Sequence, residues 1–144
     1  MSYRDTIIQP LKTRLLKRIA RKRGDVFLRA DFDNLGGYDQ VGRVLRQLVR
    51  QGALMKIGFG LYARAVQTPF SDAPVPPQGL MTLAEALKRL NIKIAPSRLE
   101  QDYNACRTRQ VPTGRVVAVA RRVRRKLGYN GIYLSFERAR SATR

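Results

Sequence analysis

The chain has 144 residues, 44% of them hydrophobic, and its 29 Lys and Arg side chains outnumber 10 Asp and Glu to give a formal charge of +19. This hydrophobic fraction is large enough to build a core and excludes a disordered tail, while the charge favours a polyanionic partner, with nucleic acid as the default. The chain has no histidine and one cysteine, so it lacks the commonest general base and cannot form an intramolecular disulfide.

The few carboxylates are scattered singly, and no spacing brings together an acid-base pair, a nucleophile with its base, or a set of metal ligands. We therefore expect no enzymatic activity, no metal and no cofactor. No stretch approaches the roughly 20 apolar residues of a transmembrane helix, and no secretory signal is present. We expect no membrane partner and a cytoplasmic, nucleoid-associated location. Cys106 is expected to be a small buried hydrophobe.

The first predicted element is an amphipathic helix over residues 3–22, in which apolar side chains recur at spacings of three and four with basic side chains between them. Pro10 lies inside this pattern and favours a regular helix that begins near that residue. Gly24 ends the helix, and residues 26–28 are predicted to enter the core as a short extended segment.

A second helix is predicted from about Arg29 to Leu35. It would bury Ala30, Phe32 and Leu35 and end at a turn of two glycines at positions 36 and 37, because glycine is the residue that best tolerates such a turn. The succession of helix, glycine turn and helix is typical of a helix-turn-helix.

The third predicted helix begins with Asp39 as its N-cap, runs to Gln51 and ends at Gly52. Its apolar side chains occupy one side, which leaves Arg and Gln on the other. Such side chains match the edges of guanine and adenine in the major groove. The predicted base-contacting residues are Gln40, Arg43, Arg46, Gln47 and Arg50. Gly42 either admits close approach of a duplex or relieves packing against the preceding turn.

A short hairpin, the predicted wing, follows over residues 54–65, with its tip at Gly58-Phe59-Gly60. Lys56 and Arg64 flank the tip, and with Phe59 they are the predicted wing contacts to DNA. Phe59 is predicted to be exposed at the tip; the alternative is that it folds back onto the core.

Residues 67–79 are rich in proline and are predicted to be an extended, semi-rigid linker between a domain over residues 1–66 and a small basic domain over residues 80–144. Two capping boxes predict helices over residues 82–91 and 97–107. The boxes pair a hydroxyl with a glutamate three residues later, and they are Thr82 with Glu85 and Ser97 with Glu100. The second helix would bury Leu99, Tyr103 and Cys106.

Strands are predicted around Ile92 and Ile94, over residues 116–120, and on both sides of Asn130-Gly131, the strongest two-residue hairpin signal. The segment over residues 121–126 carries five positive charges in six positions. We interpret it as a strand, although a helical pattern fits almost as well. Its predicted contacts to the DNA backbone are Arg121, Arg122, Arg124, Arg125 and Lys126. There are two alternatives. In one, the segment only imitates a nuclear-localisation signal, and in the other it is an exposed sheet edge whose charges protect it against aggregation.

The order of these features resembles the AbiEi-like family of antitoxins and transcriptional regulators. The residues that carry the resemblance are Gly24, Phe27, Asp31, Phe32, Leu35, Gly36, Leu45, Leu48, Val49, Gly52, Gly60, Leu61, Tyr62, Pro96, Ser97, Gln110, Val111 and Pro112. The resemblance implies a bacterial or mobile-element protein whose N-terminal winged helix-turn-helix binds operator DNA. It also implies that the protein represses its own operon and counteracts a nucleotidyltransferase toxin. Where the family has Arg or Lys before the wing glycine, this chain has Gly58-Phe59.

We therefore expect an α+β fold, with an N-terminal winged helix-turn-helix followed by a small α/β domain that contains a β-hairpin. The expected function is sequence-specific binding of double-stranded DNA as a transcriptional repressor. The first alternative is a module that binds RNA or a ribonucleoprotein with the winged helix and residues 121–126. The second is a protein-interaction adaptor. Pairing of two chains into a homodimer is open.

Overall fold

The computed structural model describes residues 10–139, so the predicted helical residues before Pro10 lie outside the described residues. The chain has a mixed helical and β structure, which agrees with the predicted α+β class. Its helices are α1 (Leu11–Arg21), a 3₁₀ helix (Arg29–Phe32), α2 (Tyr38–Arg50), α3 (Leu80–Arg89) and α4 (Arg98–Asn104). Its strands are β1 (Val26–Leu28), β2 (Leu54–Gly58), β3 (Leu61–Arg64), β4 (Val66–Thr68), β5 (Ser71–Val75), β6 (Ile94–Pro96), β7 (Val116–Val119), β8 (Gly128–Tyr129), β9 (Ile132–Tyr133) and β10 (Ser135–Arg138).

An antiparallel sheet in the order β1-β3-β2 lies at the centre of the N-terminal half. Because successive side chains of a strand point to opposite faces, each strand contributes to two separate hydrophobic clusters. In β1, Val26 points to one face and Phe27 to the other, and in β3 Tyr62 shares the side of Phe27. The sheet is therefore covered on both faces.

Helices α1 and α2 cover the face that contains Phe27. Both helices are amphipathic, and their apolar stripes meet over this face. The buried residues on this side are Leu15, Ile19, Phe27, Phe32, Val41, Leu45, Leu48, Leu54 and Tyr62. At about 1.5–3 kcal/mol for each large apolar side chain removed from water, this packing holds α2 in place. Its polar side is thereby turned outward.

The opposite face of the sheet is covered by the C-terminal half of the chain. Leu83 and Leu87 of α3 pack on it together with Leu127 and Leu134, all of them buried. Glu85 of α3 also accepts hydrogen bonds from the backbone N–H groups of Asp25, at 2.9 Å, and Val26, at 3.1 Å. The two predicted domains therefore share a hydrophobic core, and their division at residues 67–79 stays a prediction.

The proline-rich region differs from its prediction. Residues 66–75 form an antiparallel hairpin of β4 and β5, so this segment is not an extended linker. Pro69 lies in its turn and Pro74 in β5, which is an edge strand and therefore tolerates proline. The hairpin turn exposes Phe70, which is 94% accessible.

The C-terminal half contains a three-stranded sheet in the order β10-β7-β6, with β7 parallel to β10 and antiparallel to β6. The hairpin signal at Asn130-Gly131 is confirmed, because β8 and β9 pair across it. Both turn residues have positive φ, 50° and 81°, as a type I′ turn requires.

Several boundaries in the N-terminal half differ from those predicted. The second helix is a 3₁₀ helix of four residues rather than a helix over residues 29–35, and Ala30 is exposed rather than buried. Helix α2 has Gly37 as its N-cap, and Asp39 lies in its first turn. A carboxylate at this position interacts favourably with the positive end of the helix dipole. Gly52, with φ of 81°, ends the helical region as predicted.

The C-terminal half shows further differences. Helix α3 begins at Leu80, so Thr82 lies inside it and does not cap it, whereas Ser97 does cap α4 by accepting a hydrogen bond from the Glu100 N–H at 3.1 Å. Helix α4 buries none of its residues, and Cys106 is exposed after it. Residues 121–126 form neither the predicted strand nor a helix.

Candidate nucleic-acid interface

Helix α2 presents a line of polar side chains on the side that faces away from the core. Gln40, Arg43 and Arg50 are exposed, and Gln47 is half-buried. We call these four residues the α2 stripe. The line arises because Val41, Leu45 and Leu48 are held in the core at spacings of three and four, which directs the positions between them outward. Arg46 is exposed beside this line and faces the β2–β3 hairpin.

The beginning of α2 is fixed by Arg29, a residue that the sequence interpretation did not assign to the site. The Arg29 guanidinium stacks on the Tyr38 ring at 3.5 Å and donates a hydrogen bond to the Tyr38 carbonyl. A Cβ atom at Gly42 would clash with this guanidinium. Of the two interpretations of Gly42, the structure favours packing, because Arg29 occupies the space beside it. The Arg29 N–H donates to the Gly60 carbonyl at 3.0 Å, so this residue also ties α2 to the hairpin.

A basic cleft of about 410 Å³ separates α2 from the β2–β3 hairpin. Its floor is formed by Val49 and Tyr62, and it contains two further aromatic side chains, Tyr38 and Phe59. The cations that line it are Arg29, Arg46, Arg50 and Lys56. None of its described lining residues is acidic. Four cations without a nearby carboxylate produce a strongly positive channel that suits a phosphate backbone.

The tip of the hairpin is exposed, as predicted: Phe59 is 82% accessible between Gly58 and Gly60. Lys56 is also exposed, and its ammonium group lies 6.0 Å from the centre of the Phe59 ring. The positive φ of Gly60, 67°, allows the two-residue turn that leaves Phe59 without neighbours on most of its surface.

Residues 121–126, which we call the basic segment, lie next to this tip. Arg125 donates a hydrogen bond to the Phe59 carbonyl at 3.4 Å. Leu127 is fully buried and packs under Gly58, where an added Cβ would come within 2.9 Å of the leucine side chain and 3.1 Å of the Lys126 carbonyl. The basic segment is therefore attached to the hairpin by the residue that follows it. All five of its predicted contact residues, Arg121, Arg122, Arg124, Arg125 and Lys126, are exposed.

Arg64 does not belong with this set. Its guanidinium donates to the carbonyls of Ile19 and Lys22, both at 2.7 Å, and pairs with Asp25 at 3.3 Å. It also lies over the ring of Phe27. The predicted wing contact is therefore corrected, because these bonds hold the side chain against the C-terminal end of α1.

Two carboxylates of the N-terminal half, Asp25 and Asp31, form structural ion pairs with residues that do not line the cleft. Asp31 binds Lys22 of α1 and Arg89 of α3, and it accepts a hydrogen bond from the Leu28 N–H. Burial acts to raise the pKa of Asp31, but these hydrogen bonds outweigh it and hold the pKa below its ordinary value. Within residues 10–139, no ion pair includes a residue of the α2 stripe or the basic segment.

Comparison with known proteins adds no relative. No family model, curated protein or solved structure matches this chain. Within the described residues, no helix is both long enough and apolar enough to cross a membrane.

Of the predicted site residues, Arg46, Arg50, Lys56 and Phe59 meet at the cleft, and Arg125 bonds to the Phe59 carbonyl beside it. Arg121, Arg122 and Arg124 line a separate cavity together with Asn91, Ile92 and Lys93. Gln40, Arg43 and Gln47 lie on α2 but do not line the cleft. The sequence interpretation missed Arg29 and Tyr38. The signal available for this pair was weak, because Arg29 begins the predicted second helix and only its contacts with Tyr38 and Gly42 in the folded chain reveal its role.

Proposed function

We propose that this chain is a transcriptional regulator that binds double-stranded DNA in a sequence-specific manner. Residues 11–64 act in this proposal as a winged helix-turn-helix, with α2 as the recognition helix in the major groove and the β2–β3 hairpin as the wing. The observation that carries the proposal is the α2 stripe: Arg and Gln side chains directed outward from a helix whose other side is locked in a core.

Three features of the arrangement support this role. The element order of helix, strand, short helix, helix and hairpin is the one that a winged helix-turn-helix requires. The stripe consists of side chains that can form paired hydrogen bonds with guanine or adenine edges. The cationic cleft adjoins α2, and Arg125 of the basic segment bonds to the hairpin tip beside that cleft, where phosphate contacts would set the register of the duplex.

The test begins with selection of a preferred duplex from a random-sequence pool by the unaltered protein. We expect Arg43→Ala and Gln47→Ala each to weaken binding of that duplex by about 1–3 kcal/mol and to relax base preference at the contacted positions. A fluorescence titration measures both effects. Arg109→Ala is the matched control, because it removes an exposed arginine far from α2 in sequence. Unchanged affinity in both α2 variants would refute α2 as the recognition helix.

Phosphate contacts predict a different result. Lys56→Ala and Arg125→Ala should weaken binding to all duplexes alike, and each should reduce the slope of log affinity against log salt by about 1. If either variant instead changes base preference without a change in the salt slope, that residue does not contact the backbone.

The basic segment is irregular and its five cations are exposed, which favours one second candidate, the binding of RNA by shape and charge. A competition between structured RNA and the selected duplex at physiological salt separates the two functions. Displacement of the duplex by RNA at equal concentration would favour the RNA-binding function.

The resemblance to AbiEi-like regulators extends the proposal to a repressor of its own operon, bound as a homodimer and associated with a nucleotidyltransferase toxin. Footprinting on the chain's own promoter tests autoregulation, and protection of two half-sites about one helical turn apart would indicate a dimer. The absence of any protected region there would refute autoregulation and leave DNA binding to be judged by the α2 variants.

A further inference from the structure

Phe59 is the most conspicuous apolar side chain beside the cleft. It is 82% accessible at the end of a two-residue turn, although an aromatic side chain of this size is normally buried. Neither flanking glycine provides a side chain to cover it. Exposure of this apolar ring to water is unfavourable, and the surroundings of the ring indicate which partner buries it.

The first indication is the cleft between Phe59 and α2. If α2 occupies the major groove, the strand of DNA that separates this groove from the adjacent minor groove has to pass between α2 and the hairpin. The cleft lies at that position, and Arg46, Arg50 and Lys56 line it. The hairpin tip on its far side then faces the minor groove.

The second indication is a pair of cations close to Phe59. The Lys56 ammonium lies on one side, and Arg125 is bonded to the Phe59 carbonyl. Cations at the base of an apolar tip can bind the phosphates of a minor groove on both sides while the ring points at the bases between them. A site for an apolar peptide would not need charges in these positions.

The third indication is rigidity. Leu127 is fully buried beneath Gly58, and the Arg29 N–H holds the Gly60 carbonyl at 3.0 Å, so both ends of the tip are fixed. A wedge has to resist displacement when it separates stacked bases. A tip held on both sides meets this requirement.

We propose that Phe59 inserts from the minor groove between two adjacent base pairs and makes the protein select sites with an easily unstacked pyrimidine–purine step at that position. This inference rests on the proposed binding of duplex DNA. Apolar side chains at such positions part base steps in other minor-groove proteins, and TA and CA/TG steps are the ones that part most readily. The residue therefore determines specificity without a hydrogen bond to any base.

The test compares two duplexes of equal length that contain only A and T. One alternates T and A and has many TA steps, and the other pairs a run of A with a run of T and has none. Both present the same acceptors in the minor groove. A tip that acts by charge alone prefers the A run, whose narrow minor groove has the more negative potential. A tip that inserts a ring prefers the alternating duplex.

We expect the unaltered protein to bind the alternating duplex about tenfold more tightly, because its TA steps unstack at a lower cost in free energy than the steps of the A run. Phe59→Ala should abolish or reverse this preference, and Phe59→Leu should keep most of it, because leucine is also an effective wedge. A 2-aminopurine base placed at a TA step should brighten when the unaltered protein binds and stay quenched with Phe59→Ala. Urea unfolding serves as the control that the variants fold, since the ring has few neighbours.

The outcomes separate the two proposals. If the unaltered protein binds neither duplex in a salt-dependent manner, the proposed function fails. If it binds both but prefers the A run, or if Phe59→Ala retains the full preference, duplex binding stands and insertion of Phe59 is overturned.

Discussion

Replacement of Arg64 by alanine tests whether this residue supports the fold or contacts DNA. In the structure its guanidinium donates to the carbonyls of Ile19 and Lys22 at the C-terminal end of α1, where backbone acceptors have few helical partners. A cation at this position also interacts favourably with the negative end of the helix dipole. Arg64→Ala removes both effects: the Lys22 carbonyl loses this donor, and the Ile19 carbonyl keeps only the Lys22 N–H at 3.3 Å.

The expected loss follows from the bonds. Two hydrogen bonds of 2.7 Å from a charged donor contribute about 1.5 kcal/mol each, at the low end of the usual range because the side chain is 29% exposed. The partly exposed pair with Asp25 adds under about 1 kcal/mol. The free energy of unfolding should fall by about 3 kcal/mol. With a urea dependence of about 2 kcal/mol per molar, the midpoint should fall by roughly 1.5 M.

The assay is urea unfolding followed by circular dichroism, with Arg43→Ala as the matched control. Arg43 is an exposed arginine on α2, and its truncation should change stability by less than about 0.5 kcal/mol. Folded Arg64→Ala protein should bind duplex DNA as the unaltered protein does. The reasoning is refuted if Arg64→Ala and Arg43→Ala unfold at the same urea concentration, or if Arg64→Ala stays fully stable and loses DNA binding.

Two further predictions concern stability. Because the pKa of Asp31 lies below its ordinary value of 3.8, the stabilisation that its carboxylate provides is fully present above that pH and is lost as the pH falls through the lowered value. The Asp31→Asn variant should be less stable than the unaltered protein at neutral pH by about 2 kcal/mol. Urea unfolding over the acidic range should then show a smaller loss of stability for Asp31→Asn than for the unaltered protein. Gly58→Ala places a Cβ 2.9 Å from Leu127 and should cost about 1–3 kcal/mol in the same assay. The added Cβ of Gly60→Ala meets open space, so this variant should cost about 1 kcal/mol through backbone strain at φ of 67° alone. Equal stability of the unaltered protein, Gly58→Ala and Gly60→Ala would contradict the packing of Leu127 under the hairpin.

Periodicity predicted the elements whose environment is local. The helical spacing of Leu15 and Ile19 in α1 and of Val41, Leu45 and Leu48 in α2 is confirmed by their burial, and Asn130-Gly131 forms its hairpin because both residues tolerate positive φ. The α2 stripe followed from the same argument, since fixing the buried side of a helix fixes the exposed one.

The failures came from contacts between distant parts of the chain. Glu85 resembles part of a capping box, but its carboxylate binds the N–H groups of Asp25 and Val26. Arg64 resembles a phosphate contact, but carbonyls 42 and 45 positions earlier accept its hydrogen bonds. The basic segment has the pattern of a strand, but it forms no strand hydrogen bonds. It is held instead by the packing of the following residue, Leu127, against Gly58. No local pattern encodes a partner so far away in sequence.

The sheet that supports α2 has a consequence for synthesis of the protein. Its second face is covered by Leu83, Leu87, Leu127 and Leu134, so the ribosome makes α2 and the hairpin well before it makes the residues that complete their support. At about 5–20 residues per second, several seconds pass between the synthesis of β3 and that of Leu127, and the apolar face of β1–β3 stays uncovered during that time. During that interval the nascent chain carries an exposed apolar sheet, a surface that chaperones bind, and the packing that supports α2 is completed only late in translation.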